Sequence, residues 1–258
     1  MNSNVGKEKR MYFAFNVWDV NSATAVIDAA AEIKTDVILQ TSQRVYQALE
    51  KDLFKEYIRK YAKQKGIECL LHLDHCRDLK ILYDAVDHGW DIVMYDGSAL
   101  PLAENIENTK KACAYAHSGH VRVEAEVGCI KGVEDDIAVK KDGLASIEDV
   151  RQMLKNTDID YLAAAFGNAH GLYQGKPNLH FEIIEEIQKI SDIPFVVHGG
   201  TGMGRDTFKK LIVFSNVGKI NISTGFFIMD QIRFHGGNRC KCPAGTIWIL
   251  VADCGQIL

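Results

Sequence analysis

Short apolar runs, rich in valine, isoleucine or aromatic residues, recur at regular intervals along the chain. They fall at Tyr12–Asn16, Val37–Gln40, Cys69–Asp74, Ile92–Tyr95, Val121–Val127, Tyr161–Ala165, Phe195–His198 and Lys219–Ile222. Runs this short, bounded by turn residues, read as buried strands. Between them the apolar spacing changes to the helical period. In Asp78–Gly89 the residues Leu79, Leu82, Tyr83 and Val86 keep to one face, and Gly89 marks the stop. Ser146 is a helix N-cap for the segment running to Asn156, with Asp149 three residues on, where a glutamate is usual. His180–Ile190 repeats the pattern, and Ser191–Pro194 closes it. Strands alternating with helices, with no break in composition, indicate one α/β domain with a parallel sheet. Eight such units in 258 residues favour a single closed (β/α)8 TIM barrel over an open doubly wound sheet. The absence of Gly-x-Gly-x-x-Gly after the first run weighs against a dinucleotide-binding sheet.

In such a barrel, alternate side chains face the helix layer and the interior, and catalytic groups gather at the C-terminal strand ends. In the third run Leu71 and Leu73 face the helices, so His72 and Asp74 face inward and His75 lies just past the rim. On an uninterrupted strand, His72 and His75 point to opposite faces. The fifth run sends Val121, Val123, Ala125 and Val127 outward and leaves Arg122, Glu124 and Glu126 inside. An inward carboxylate is costly unless it is paired or bound to a cation. Glu124 reads as the ion-pair partner of Arg122 or His72. The sixth run leads into GNAHGLYQG and the seventh into VVHGGTG, so four strand ends carry His75, Glu126, His170 and His198. A lone strand-end histidine is more often structural than a ligand. Three imidazoles and a carboxylate on one predicted rim, however, suit zinc or a similar divalent ion.

Two glycine-rich turns, HGGTGMG and NISTG, fall where barrels of this kind bind phosphate through backbone N–H groups. Gly199, Gly200 and Gly202 allow close approach, and Thr201, Ser223 and Thr224 add hydroxyls. Singly, each turn reads equally well as a tight turn or an anion site. Composition narrows the partners. The chain is 47% hydrophobic and 25% charged with a net charge of -4, which offers no broad basic surface for nucleic acid. No apolar run approaches the roughly 20 residues that span a bilayer. The first ten residues carry no apolar core of a signal peptide. Seven scattered cysteines, with no export signal, read as reduced thiols in a cytoplasm.

Taken together, the motifs resemble class II, metal-dependent ketose-bisphosphate aldolases, the family of fructose-bisphosphate and tagatose-bisphosphate aldolases. FNVWD, VILQTSQ, LHLDHC, VMYDGS, VEAEVG, KGVEDD, GNAHGLYQGKPNL, VVHGGTG and KINIST occur in the family's order over residues 12–224. The resemblance implies one catalytic zinc held by His75, His170 and His198, with Glu126 a ligand in one of the metal's positions. Asp96 would touch the metal or hold one of its ligands. Asp74 would be the acid/base on the hydroxyl of the aldehyde half, and Glu134 a second acid/base at the carbon beside the carbonyl. Asn221 matches an enediolate-contacting residue. Gly171, Gly199, Thr201, Ser223 and Thr224 match a phosphate cradle, with a monovalent cation near it. Asn16 and Ser42 match positions lining the substrate pocket. The implied reaction is reversible cleavage of a ketose (bis)phosphate into dihydroxyacetone phosphate and an aldehyde, through an enediolate stabilised by the metal. The implied protein is a cytoplasmic homodimer or homotetramer acting on a small sugar phosphate, with no nucleic acid or membrane partner. No Schiff-base lysine is required, and Lys219 reads as a barrel-rim or structural cation.

The match has departures. The head is too short and polar for the helix that plugs the barrel bottom in family members. Ser223 stands where several fructose-bisphosphate enzymes carry aspartate. From Gly225 the family pattern is lost, so Phe226–Phe234 is expected to form a short last helix and 235–258 a divergent tail. Arg233, Arg239 and Lys241 are the tail cations on offer for a second phosphate, and none aligns. An inactive aldolase-like barrel kept for binding is one alternative. A metal-dependent hydrolase on the same fold is another, against which the lack of His-x-His in YFAFN weighs.

Overall fold

The structure, a computed structural model, describes residues 11–134, 137–139, 143–171, 173 and 177–223. The Glu134 side chain, Thr224, the expected helix Phe226–Phe234 and the tail 235–258 lie outside the described residues. The described residues begin with β1 (Tyr12–Asn16), α1 (Val20–Glu32) and β2 (Val37–Ser42), then α2 (Gln43–Ala48), α3 (Lys51–Lys65) and β3 (Cys69–Cys76). It continues through α4 (Leu79–Asp87), β4 (Ile92–Tyr95), α5 (Leu102–Ser118) and β5 (Arg122–Val127). A small hairpin, β6 (Lys131–Glu134) and β7 (Ile137–Val139), precedes α6 (Ile147–Asn156), β8 (Tyr161–Ala164) and the two-residue β9 (Ala169–His170). The described residues close with α7 (Phe181–Ile190), β10 (Phe195–Val197), α8 (Arg205–Leu211) and β11 (Val217–Ile222).

Eight of these strands form a closed ring in the order β1-β11-β10-β8-β5-β4-β3-β2, and every neighbouring pair is parallel. This is the (β/α)8 barrel that the eight apolar runs predict. The helices start where short polar side chains cap them. Asp19 and Ser22 form a reciprocal capping box for α1, and Ser42, Asp78 and Ser146 each accept a backbone N–H at the start of α2, α4 and α6. The predicted helices 78–89, 146–156 and 180–190 differ from α4, α6 and α7 by one or two cap residues at most.

The alternation also sorts the core into two. Leu71, Leu73, Val121, Val123, Ala125 and Val127 belong to the large apolar layer between strands and helices. A smaller cluster of Ala14, Ile38, Leu70, Ile92, Tyr161, Ala163 and Val196 fills the barrel interior. Leu70 shares parity with His72 and Asp74, and Ile38 with Gln40 and Ser42. Above this apolar floor the interior therefore turns polar toward the strand C-termini. Arg122, at the floor, donates to the Tyr161 hydroxyl at 2.8 Å and lies over its ring. It is not the partner of Glu124.

Strict alternation fails at one place. The register between β3 and β4 shifts between Leu73 and Cys76, and His75 takes a left-handed backbone with φ of 47°. This bulge rolls the His75 ring over the rim toward the interior side, so His72 and His75 do not point to opposite faces. Bulges of this sort re-aim a side chain beside an active site.

Candidate active site

At the mouth, His75, His170 and His198 each present a ring nitrogen, and these atoms lie within 4.8 Å of one another. The ring centroids are 4.8 Å apart for His75–His170, 4.7 Å for His75–His198 and 5.7 Å for His170–His198. Each ring is aimed by a different device. His75 Nδ1 stands 3.2 Å from Asp96, which leaves its Nε2 facing His198 Nδ1 at 3.0 Å. Asp96 also accepts Arg77 through Nε and a terminal nitrogen at 3.1 and 2.9 Å, and the Ser98 hydroxyl at 2.6 Å. Burial alone would raise the Asp96 pKa. The contacts with His75, Arg77 and Ser98 win, and hold it well below the ordinary carboxylate range. With both oxygens so engaged, Asp96 is arranged to hold His75.

His170 sits on β9, which is clamped on two sides. On one side Lys131 and Gly132 of β6 pair with Ala169 and His170. A Cβ at Gly132 would lie 2.2 Å from the His170 carbonyl oxygen, so only glycine permits this approach. On the other side the Tyr173 hydroxyl accepts from Ala169 N at 3.1 Å and donates to the Gly199 carbonyl at 3.0 Å. His198, fully buried, has Nε2 at 2.8 Å from Glu124. Burial first, and the neighbouring His75 and His170, push its pKa down to about 4 against the raising effect of Glu124.

Two further carboxylates complete the mouth. Glu126 is buried, and its Oε2 has no hydrogen-bond partner among the described residues, although His75 Nδ1 lies 4.0 Å away. Burial and the charge of Asp96 push its pKa up to about 8. A buried carboxylate oxygen left over beside three converging imidazoles is the arrangement a divalent cation satisfies, so this donor set fits such an ion. Asp74 accepts the Gln40 amide at 2.9 Å, and the Asn221 amide stands 3.5 Å from its other oxygen. Gln40 in turn donates to Asn16. Gln40 is thus a site residue that the sequence reading passed over, although its parity with Ser42 on β2 marks it as inward.

Lys219 is not at the rim. It is buried inside the barrel with its ammonium 2.6 Å from Glu124 Oε2 and 3.1 Å from His72 Nδ1. The partner of Glu124 is therefore Lys219, with His72 at 3.7 Å. Burial would raise the Glu124 pKa, but Lys219, His198 and His72 hold it below the ordinary range.

Two cavities meet at His170. The smaller, about 260 Å³, is lined by His170, Gly171, His198, Gly199, Thr201, Asn221 and Ser223. These include every described residue of the expected phosphate cradle. Ser223 N donates to Thr201 Oγ1 at 3.2 Å, which ties the two glycine-rich turns together. The larger, an open pocket of about 820 Å³, runs past Asp74, His75 and Glu126 to Ser42, Arg44, Gln47 and Arg77. Among the described residues, Cys69, Cys76, Cys113 and Cys129 are free thiols, and no helix is long and apolar enough to cross a membrane.

This chain is similar to known aldolases. The profile of the family described as "Fructose-bisphosphate aldolase class-II" matches residues 1–230. A sulfofructosephosphate aldolase of Alkalicoccus urumqiensis is 38% identical over 227 residues, covering 87% of this chain and 78% of that protein. A 6-phospho-5-dehydro-2-deoxy-D-gluconate aldolase of Bacillus subtilis (strain 168) is 37% identical over 228 residues, covering 84% of this chain and 76% of that one. Among solved structures, the YdjI aldolase from Escherichia coli K12 superposes with a TM-score of 0.77 at 25% identity, covering 96% of this chain and 89% of the other. The barrel and the extent of these matches show that the chain belongs to the class II fructose-bisphosphate aldolase family, and that it is an aldolase of the carbon–carbon lyase class.

Proposed function

We propose that the protein is a zinc-dependent aldolase that cleaves a ketose phosphate into dihydroxyacetone phosphate and an aldehyde. The observation that carries this reading is the convergence of His75, His170 and His198 within 4.8 Å beside the amide-held carboxylate of Asp74. His75, His170 and His198 would hold the ion, with Glu126 as a further ligand. Bound there, it would supply Lewis acidity to the substrate carbonyl. The phosphate next to the carbonyl would sit against Gly171, Gly199, Thr201 and Ser223, joined by Thr224. Asn221 would orient the carbonyl half, and binding energy from the phosphate would become alignment.

Asp74 takes the proton from the fourth-carbon hydroxyl. The C–O pair closes to the aldehyde, and the pair of the C3–C4 bond stays with the dihydroxyacetone phosphate half. Gln40 and Asn221, donating amides on either oxygen, keep Asp74 an acceptor aimed into the mouth. Glu134 then delivers a proton to the third carbon. The substrates named for the two relatives share a ketone with a phosphate and differ at the far end, which is sulfonated in one and a carboxylate in the other. The far end would lie in the larger pocket, lined by Ser42, Arg44 and Arg77, with Asn16 joined to the site through Gln40. A ketose with an anionic far group is the favoured substrate, fructose or tagatose 1,6-bisphosphate included.

A coupled cleavage assay over a panel of ketose phosphates tests the reading. Activity should vanish on chelation and return with zinc or cobalt. Borohydride added with substrate should trap no adduct, and a trapped lysine would sink the mechanism.

A further inference from the structure

Beneath the mouth lies a set of charges that the bond-breaking steps do not use. Lys219, Glu124 and His72 are each fully buried and touch one another inside the barrel. Their protonation follows from donor inventory alone. The Lys219 ammonium has no lone pair, so the His72 nitrogen facing it at 3.1 Å, Nδ1, is the bare one. Glu124 is doubly placed as an acceptor, with Oε2 2.6 Å from the ammonium and Oε1 2.8 Å from His198 Nε2. A carboxylate cannot donate, so His198 carries its proton on Nε2 and leaves Nδ1 bare. That bare nitrogen faces the mouth, 3.0 Å from His75 Nε2.

Glu124 presents a second question. With Asp74 and His198 it forms another cluster whose ligand atoms lie within 4.8 Å, so it could itself take a cation. Lys219 already meets Glu124 Oε2 with its own charge, 2.6 Å away. We infer that Lys219 and Glu124 are positioning residues: the ammonium keeps Glu124 out of the metal's reach, and Glu124 fixes His198 in the tautomer that offers Nδ1 to the mouth. His72 takes up a remaining proton of the ammonium, so that the charge is not left unpartnered. A carboxylate that orients a ligating imidazole is a recurrent device, and its loss costs 10–100-fold in metal affinity as a rule. Here that carboxylate is itself held by a lysine from β11, three strands round the ring. The inference rests on reading His75, His170 and His198 as the metal-holding set.

The test begins with metal-free full-length protein labelled with 15N-histidine. Long-range proton–nitrogen correlation spectra should show His198 protonated on Nε2, and Glu124→Gln should turn this into a mixture of tautomers. Zinc binding, measured by chelator competition, should weaken about 10–100-fold in Glu124→Gln. Because either single change strands a buried charge, the double variant Glu124→Gln/Lys219→Met is the second arm. It should recover thermal stability and still bind zinc weakly. A double variant that binds zinc as tightly as wild type would reduce the pair to mere charge neutralisation and overturn the inference. So would a wild-type His198 protonated on Nδ1. Wild-type protein that shows the Nε2–H tautomer but takes up no zinc would instead overturn the metal reading, with the tautomer assignment supported.

Discussion

The Gly132→Ala substitution tests whether the β6–β9 contact sets the position of His170. Gly132 has φ of +126°, a conformation side chains rarely adopt. An added Cβ would stand 2.2 Å from the His170 carbonyl oxygen, 2.8 Å from its nitrogen and 2.9 Å from its carbonyl carbon. All three are backbone atoms and cannot swing aside. Restoring contacts of about 3.5 Å requires β9 to move by more than ~1 Å. Misplacement on that scale at a catalytic constellation costs about 10²-fold in rate. The backbone conformation itself costs about 1–3 kcal/mol, which for a chain of this size lowers the melting temperature by roughly 2–4 °C per kcal/mol. The assay is kcat/KM for ketose phosphate cleavage with zinc supplied, alongside bound metal and the thermal midpoint. Gly66→Ala is the control. It has φ of +75° with nothing within 4 Å of the added carbon, at the end of α3. It should lose stability and keep its turnover. If Gly132→Ala cleaves substrate within twofold of wild type with full metal content, the clamp on His170 plays no part in the site.

Further expectations follow from the same geometry. Asp74→Ala should keep its metal and lose about 10²–10⁴ in kcat, whereas His198→Ala should lose the metal as well. An Asp74 variant that lost zinc but kept its turnover per metal would show the two roles to be wrongly assigned. Arg44→Gln should raise KM for a bisphosphate more than for a ketose 1-phosphate, and equal effects on both would remove Arg44 from far-end recognition. Glu134→Gln should slow tritium exchange at the third carbon of dihydroxyacetone phosphate more than it weakens binding. Unchanged exchange would assign that proton to another group.

How much of this was readable from the chain follows from how local each cause is. The strands were legible because their side chains alternate every second residue, and Leu71, Leu73 and the outer face of β5 lie where that alternation puts them. The helix starts were legible at Ser146 and Asp78, where the cap acts within three residues. The orientation of His75 was not, because a bulge between Leu73 and Cys76 breaks the alternation that predicts it. Nor was the partner of Glu124. Lys219 reaches it from three strands round the ring, and no spacing rule connects positions so far apart in sequence. Gln40 stood between legible and missed, since its inward parity could be read but nothing nearby in sequence hinted at Asn16 and Asp74 as its partners.

The closing of the ring by β11 has a consequence for how the protein acquires activity. The hydrogen bonds Lys219–His72 and Asn221–Asp74 each join residues 147 positions apart. Contacts of that separation incur their loop entropy before they return any stabilisation. Until β11 docks between β1 and β10, Glu124 lacks the Lys219 ammonium and Asp74 lacks one of its two amides. Chains folded only as far as β10 lack both contacts, and a ring closed without Lys219 would leave a buried, uncompensated charge, a state that is strongly disfavoured. Ring closure and the completed contacts of Glu124 and Asp74 therefore arrive together, on the last strand described.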